Sequence, residues 1–365
     1  MGALRRLTIG LVTLCMALSL AGCAAPKLTL DPEELYALPE LPERYTALNQ
    51  QLSAIQEGGA EYATPVSGSN IQPVQMMDLD GDGREEALAF FRQSDGEKPL
   101  KIHIFTADDD NSYRQAAVIE GSGLAIYSVD YSDIDGDGRM EIIVGWRVSM
   151  ELQALTVYTL EKDGIRELAR SDYVKYAVAD LDGDGQRELT VLRADETGAG
   201  TADCYLWKNG TLTLGSSIRV SMTMAELSQQ GRITVGVLRS STPALFVTGV
   251  ADSTRAITDV LVLRGGELTN LVLSAMTGVS GESSRFCTLY PTDINGDGVT
   301  EVPRTVTLQG EDADHAVSQR VDWISYDAAG TASRVLSTYH AMEDGWYLQL
   351  PEGWAESILV GRSAA

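Results

Sequence analysis

The sequence predicts an all-β protein of about six repeated units (five to seven), each of four short strands, behind a short helical tether. Three observations predict it. An acidic nonapeptide recurs four times, as DLDGDGREE at 78–86, DIDGDGRME at 133–141, DLDGDGQRE at 180–188 and DINGDGVTE at 293–301. The copies begin 55, 47 and 113 residues apart, so the last interval is close to two units. After residue 60 there is almost no amphipathic helical pattern, and each copy runs into a short apolar or β-branched stretch: ALAFF, IIVGW, LTVL or VPRTVTL. Such stretches read as strands.

Each nonapeptide is a candidate metal loop. Carboxylates at positions 1, 3 and 5 of a tight loop converge on one point, and their hard oxygens suit Ca²⁺. Glycines at positions 4 and 6 let the backbone take φ > 0 and wrap an ion. The expected ligand sets are Asp78, Asp80, Asp82 and Glu86; Asp133, Asp135, Asp137 and Glu141; Asp180, Asp182, Asp184 and Glu188; and Asp293, Asn295, Asp297 and Glu301. Backbone carbonyls at position 7, those of Arg84, Arg139, Gln186 and Val299, would complete them. An EF-hand shares the first half of this pattern but needs a bidentate Glu at position 12. Position 12 here is Ala89, Val144, Val191 and Arg304, and no helix pattern follows. An ion-free Asx turn is the competing reading. It leaves three or four carboxylates crowded in nine residues without a cation. The fourth loop is weaker, because Asn295 removes a charge. Mg²⁺ fits less well, since it keeps its waters and takes fewer protein ligands.

The units parse in chain order. IYSVDYS leads into the second loop, and MEIIVGWRV, ALTVYTLE and IRELARS follow. The next unit repeats the plan with YVKYAVAD, ELTVLRA, TADCYLWKNG and TLTLGSS. Lys162-Asp163-Gly164 and Lys208-Asn209-Gly210 carry the D-G and N-G hairpin signals. The stretch 244–264, ALFVTGVADSTRAITDVLVLR, reads as a degenerate unit whose loop has shrunk to Asp252. The last clear unit runs through VDWISYD and ASRVLSTYH. GWYLQLPEGWAESILVGR then reads as half a unit, completed either by N-terminal strands or not at all. Four strands in about 47 residues is the content of one propeller blade.

With strands on both sides, these loops resemble the FG-GAP/VCBS repeats of integrin-type calcium-binding β-propellers and of many bacterial surface proteins. The family pattern D-x-D-G-D-G-x-x-D/E is met in full at three loops and with Asn295 at the fourth. The resemblance implies a β-propeller over 61–365 and about four structural Ca²⁺ in its loops.

The N-terminus has the three parts of a secretory signal. Arg5 and Arg6 are basic, Leu7 to Leu20 is an apolar stretch too short to span comfortably, and Leu20-Ala21-Gly22-Cys23 resembles the bacterial lipobox. That resemblance implies a lipoprotein signal peptide over 1–22 and lipid attachment at Cys23. An ordinary signal peptide is the alternative. The expected location is the extracytoplasmic face of a bacterial membrane. Residues 23–60 are expected to form a tether. In it Tyr45, Leu48, Leu52 and Ile55 share one face of a short helix that Gly58-Gly59 ends.

Net charge is −24. With no basic patch to neutralise phosphates, nucleic acid is not an expected partner. Cys204 and Cys287 remain as thiols in different units or as a disulfide. His103, His315 and His340 are scattered, and no nucleophile elbow, HExxH, CxxC or phosphate loop is present. Tyr113, Trp146, Trp207 and Tyr290 either stack on sugars or pack between strands. The function expected is an anchored binding module for an extracellular protein or glycan. A surface polysaccharide-active enzyme and a structural part of an envelope complex stay open.

Overall fold

The computed structural model describes residues 45–354 apart from 95, 109–111, 253, 309–317 and 342–344. The signal segment and Cys23 lie outside the described residues. The chain divides into two compact units, 1–46 and 47–365. Of the first, only Tyr45 and Thr46 are described.

Helix α1 (Thr46–Glu57) buries Leu48 and Leu52, one turn apart on its apolar face. Gln51 Nε2 donates to the carbonyl of Tyr113. The helix stops at Gly58-Gly59, where Gly59 takes φ 91°. No helix among the described residues is long and apolar enough to cross a membrane.

Five antiparallel sheets follow in chain order. The first holds β1 (Glu61–Tyr62), β2 (Val74–Met77), β3 (Glu86–Arg92), β4 (Leu100–Ala107) and β5 (Tyr113–Gly121), with β1 and β2 sharing one edge of β3. The second is β6 (Ala125–Ser132), β7 (Glu141–Arg147), β8 (Gln153–Glu161) and β9 (Gly164–Asp172). The third is β10 (Lys175–Ala179), β11 (Glu188–Ala194), β12 (Gly200–Lys208) and β13 (Thr211–Arg219). A short helix, α2 (Met224–Ser228), started by a Thr223/Glu226 capping box, leads to the fourth. That sheet is β14 (Arg232–Leu238), β15 (Thr242–Ala251), β16 (Arg255–Arg264) and β17 (Glu267–Asn270). The fifth is β18 (Val302–Leu308), β19 (Ser318–Tyr326), β20 (Ala332–Ala341) and β21 (Trp346–Leu350). The tight β12–β13 hairpin turns on Asn209 and Gly210, both at positive φ (54° and 77°). This is the geometry an N-G pair favours.

Consecutive sheets pack face to face. Strand alternation sends Ile142, Val144 and Trp146 of β7 into a core shared with the first sheet. Their neighbour Ile143 enters a core shared with the third. Buried on both faces, such strands read as continuous apolar runs. Two further cores join the third sheet to the fourth and the fourth to the fifth. Four-stranded sheets joined in sequence by apolar faces are the blades of a β-propeller.

The described residues therefore form five blades, at the low end of the expected range. Three expectations change. The fourth unit exists, but Asp252 is not the relic of its loop. Asp252 sits at φ 51° in the β15–β16 hairpin, whereas the metal loops join the first and second strands of a blade. The equivalent connection in the fourth blade is the 3-10 turn Arg239–Ser241, which has no acid. The strand at Trp346–Leu350 does not begin a new half-blade, because β21 pairs with β20 as the outer strand of the fifth, and the second strand expected after it lies outside the described residues. Its inner edge, just before the fourth loop, is reduced to a bridge between Thr292 and Glu301. Lastly, the N-terminal strand β1 pairs with β3 of the first blade rather than completing the last.

Candidate metal centre

The first three loops share one geometry. Position 1 is the hub: Asp78 accepts from the N–H of Gly81 at 2.9 Å and of Gly83 at 3.0 Å. Asp133 and Asp180 do the same with Gly136 and Gly138, and with Gly183 and Gly185. Position 3 (Asp80, Asp135, Asp182) accepts from the N–H of position 5 at 3.2–3.3 Å. Position 5 (Asp82, Asp137, Asp184) accepts from the N–H of Arg84, Arg139 and Gln186 at 2.8–2.9 Å. Both glycines of each loop have positive φ, from 74° to 91°. The chain thus curls around its own carboxylates.

Three groups of acids are drawn together by this curl: Asp78, Asp80 and Glu86; Asp133, Asp135 and Glu141; and Asp180, Asp182 and Glu188. Each offers three ligand oxygens within 4.8 Å of one another, a spacing that could hold one cation. The position 5 carboxylates are not members of these groups. The fourth loop does not gather one among the described residues. There Asn295 Nδ2 donates to Asp297 Oδ2 at 2.8 Å, and Val299 N–H holds Asp297 Oδ1 at 2.8 Å. Asp293 still accepts from Gly296, Asp297 and Gly298. These N–H groups, Gly298 first, hold its carboxyl below the usual range.

The position 9 glutamates are buried in all four loops, at 0–4 % exposure. Burial raises each carboxyl from 4.5 to about 7, and the neighbouring aspartates add to the rise. A buried carboxylate without a counter-charge is costly. In the fourth loop Glu301 Oε1 is buried with no hydrogen-bond partner at all. Four buried acids facing further acids, one with an orphaned oxygen, form a donor set that fits a hard divalent cation.

The sign of the pH dependence follows. A glutamate raised to about 7 in the folded chain and at 4.5 unfolded contributes stability that is lost as pH rises through 7. His103 and His340, lowered by burial from 6.5, act in the opposite direction but below that value. Between pH 5 and 7 the metal-free protein should therefore lose several °C of melting temperature net of the two histidines, each glutamate contributing up to about 1.4 kcal/mol per unit. Saturating Ca²⁺ should abolish the loss. Thermal melts at the two pH values, with and without the ion, check this.

Position 2 carries a role that the carboxylates conceal. Leu79, Ile134 and Leu181 are 0–1 % exposed, and each enters the core between its own blade and the next. Their backbones are held at both ends. The N–H of position 2 donates to the position 9 glutamate of its own loop, at 2.8 Å (Leu79), 2.9 Å (Ile134) and 2.7 Å (Leu181). Its carbonyl accepts from position 8 of the following blade's loop: Met140 to Leu79 at 2.9 Å, and Arg187 to Ile134 at 2.7 Å. The loops also touch directly. A Cβ on Gly81 would lie 2.7 Å from the Gly138 carbonyl oxygen, and one on Gly136 would lie 3.1 Å from that of Gly185. An apolar residue at position 2 in all four copies was the available signal.

The remaining candidates are dispersed. Tyr113 and Trp146 are buried packing residues, Trp207 is half-buried against the core between the second and third blades, and Tyr290 lies under Arg232. Cys204 and Cys287 are free thiols, Cys204 pushed up to about 12 by burial. His103 and His340 lie in different blades, and His315 is outside the described residues.

Residues 78–144 match the family model of the FG-GAP-like repeat. No curated protein matches the chain. Among solved structures, it is similar to the Bacillus licheniformis rhamnogalacturonan lyase PL11, with a TM-score of 0.35 and 13% identity over 74% of this chain and 69% of that one. It is also similar to a protein from Lactobacillus plantarum, with a TM-score of 0.35 and 10% identity over 78% of this chain and 85% of that one. The matched segment holds the first two nonapeptides and the strands between them, so the similarity to FG-GAP-like repeats falls on the acidic loops and the first two blades.

Proposed function

We propose that this chain is a lipid-anchored extracytoplasmic protein whose β-propeller, braced by calcium, serves as a binding module for a protein or glycan. The observation that carries the calcium half is the double duty of each of the first three loops. Positions 1, 3 and 9 gather oxygens within 4.8 Å, and the same position 9 glutamate anchors the residue that plugs the blade joint. An ion held there stiffens the scaffold. A rigid scaffold of this kind can present its connecting loops for recognition. The anchor rests on the lipobox-like Leu20–Cys23.

One experiment tests anchor and module together. Wild-type and Cys23→Ala chains are expressed in a bacterial host and fractionated. The wild type is expected in the membrane fraction and the variant in soluble form. The calcium-loaded soluble chain is then immobilised and exposed to envelope glycans and secreted proteins. Saturable retention of a component is expected. Equal fractionation of the two chains removes the anchor, and retention of nothing saturable removes the module.

A further inference from the structure

The inner strands of the blades have two chemically different ends. β6 and β10 finish in metal loops. At their opposite, starting ends, together with the start of β14, lies a cavity of about 440 Å³, within the size range of small-ligand sites. Tyr127 and Asp130 come from the second blade, Tyr173, Lys175 and Tyr176 from the third, and Arg232 from the fourth.

The charges here depart from the rest of this acidic chain. Lys175 is half-buried, and among the described residues neither it nor Arg232 forms an ion pair. Arg232 rests 4.1 Å above the Tyr290 ring, which orients its guanidinium without neutralising it. The one acid in the wall, Asp130, accepts from the Tyr176 hydroxyl. Burial holds the Lys175 ammonium below the usual lysine range, and the positive Arg232 beside it adds to that effect. The Tyr173 hydroxyl is buried beside Gly145 and Ser128 rather than exposed in the cavity. Two cations without an ion pair, with the Asp130 carboxylate in the same concave wall, call for an anion that also carries hydroxyl groups.

We propose that this cavity receives the sugar carboxylate of an anionic glycan, a uronate residue, with Lys175 and Arg232 on the carboxylate and Asp130 accepting from a sugar hydroxyl. A bare phosphate would satisfy the cations but offers Asp130 no hydroxyl donor of a sugar. A neutral sugar would leave the cations unpaired. The proposal rests on the reading of the propeller as a binding module, and it names that module's ligand class and site.

Isothermal titration of the full chain in calcium buffer with galacturonate and glucuronate disaccharides tests it. Saturable binding is expected, weakened about tenfold or more in Lys175→Met and in Arg232→Gln, and weakened again by about 0.5 M salt. Lys175 is half-buried and Arg232 exposed, and neither forms an ion pair among the described residues, so both variants should melt with the parent. Neutral disaccharides are expected not to bind, and inorganic phosphate to bind more weakly. Three results overturn the proposal: no uronate binding by the folded chain, unchanged affinity in both variants, or phosphate binding as tight as uronate. If one of these occurs while immobilised chain still retains an envelope component saturably, the module reading stands and only the cavity assignment falls.

Discussion

Chelation with EGTA is expected to lower the melting temperature of this protein by more than about 15 °C. At near-millimolar Ca²⁺ and a dissociation constant of about 10 µM, each site contributes about 2.7 kcal/mol to the folded state. Three loops gather a complete acidic group, so their sum is about 8 kcal/mol. For a domain of this size each kcal/mol moves the midpoint by about 2–4 °C. The fourth loop, with its Asn295–Asp297 hydrogen bond, should add less. Differential scanning calorimetry with and without EGTA measures the difference, and coincident melts would sink the structural-calcium reading. Single substitutions should divide along the same line. Asp180→Ala removes the hub of a complete loop and should reproduce about a third of the effect. Asp252→Ala, in a hairpin with no ion role, should cost about 1 kcal/mol for placing alanine at positive φ.

The second large effect is expected at a residue that can touch no ion. Ile134→Ala empties a fully buried position between the second and third blades, and such truncations cost about 2–5 kcal/mol. Ile134 also receives the Glu141 carboxylate on its N–H and Arg187 on its carbonyl. Loosening it should therefore weaken calcium binding at the second loop as well as stability. Ile294→Ala, at a half-buried position, should do less of both. Urea denaturation measures the stability term, and calcium titration of the two variants measures the coupling. A normal calcium isotherm for Ile134→Ala would show that the joint and the ion site are independent.

Much of this architecture was legible before any coordinates. The second and third blades could be read strand by strand, because the strand after each acidic loop is a short apolar run and the last hairpin of each blade carries a D-G or N-G turn signal. The acidic loops could be read because three carboxylates and two glycines in nine residues have few other uses. The fourth blade was half legible. Its strands β15 and β16 flank Asp252, and an acid in a turn looks like a worn metal loop. The true equivalent is Arg239–Ser241, which has no composition to mark it. Position 2 was visible as an apolar constant among the copies, but its task depends on which blade lies across the joint. That partner is set by packing rather than by local pattern. The cavity was not legible at all. Lys175 and Arg232 belong to different blades, and only the convergence of inner strands brings them together.

The fourth blade shows how a joint holds without an acidic loop. Thr300, at position 8 of the last loop, still donates its N–H across the joint at 2.8 Å, and the acceptor is Val237 near the end of β14. The blade without an acidic loop therefore offers its neighbour the same backbone handhold as the blades with one. Attachment between units and cation capture are inherited separately in this chain. A propeller assembled in this way can lose its acidic loops one blade at a time while its sheets remain fastened.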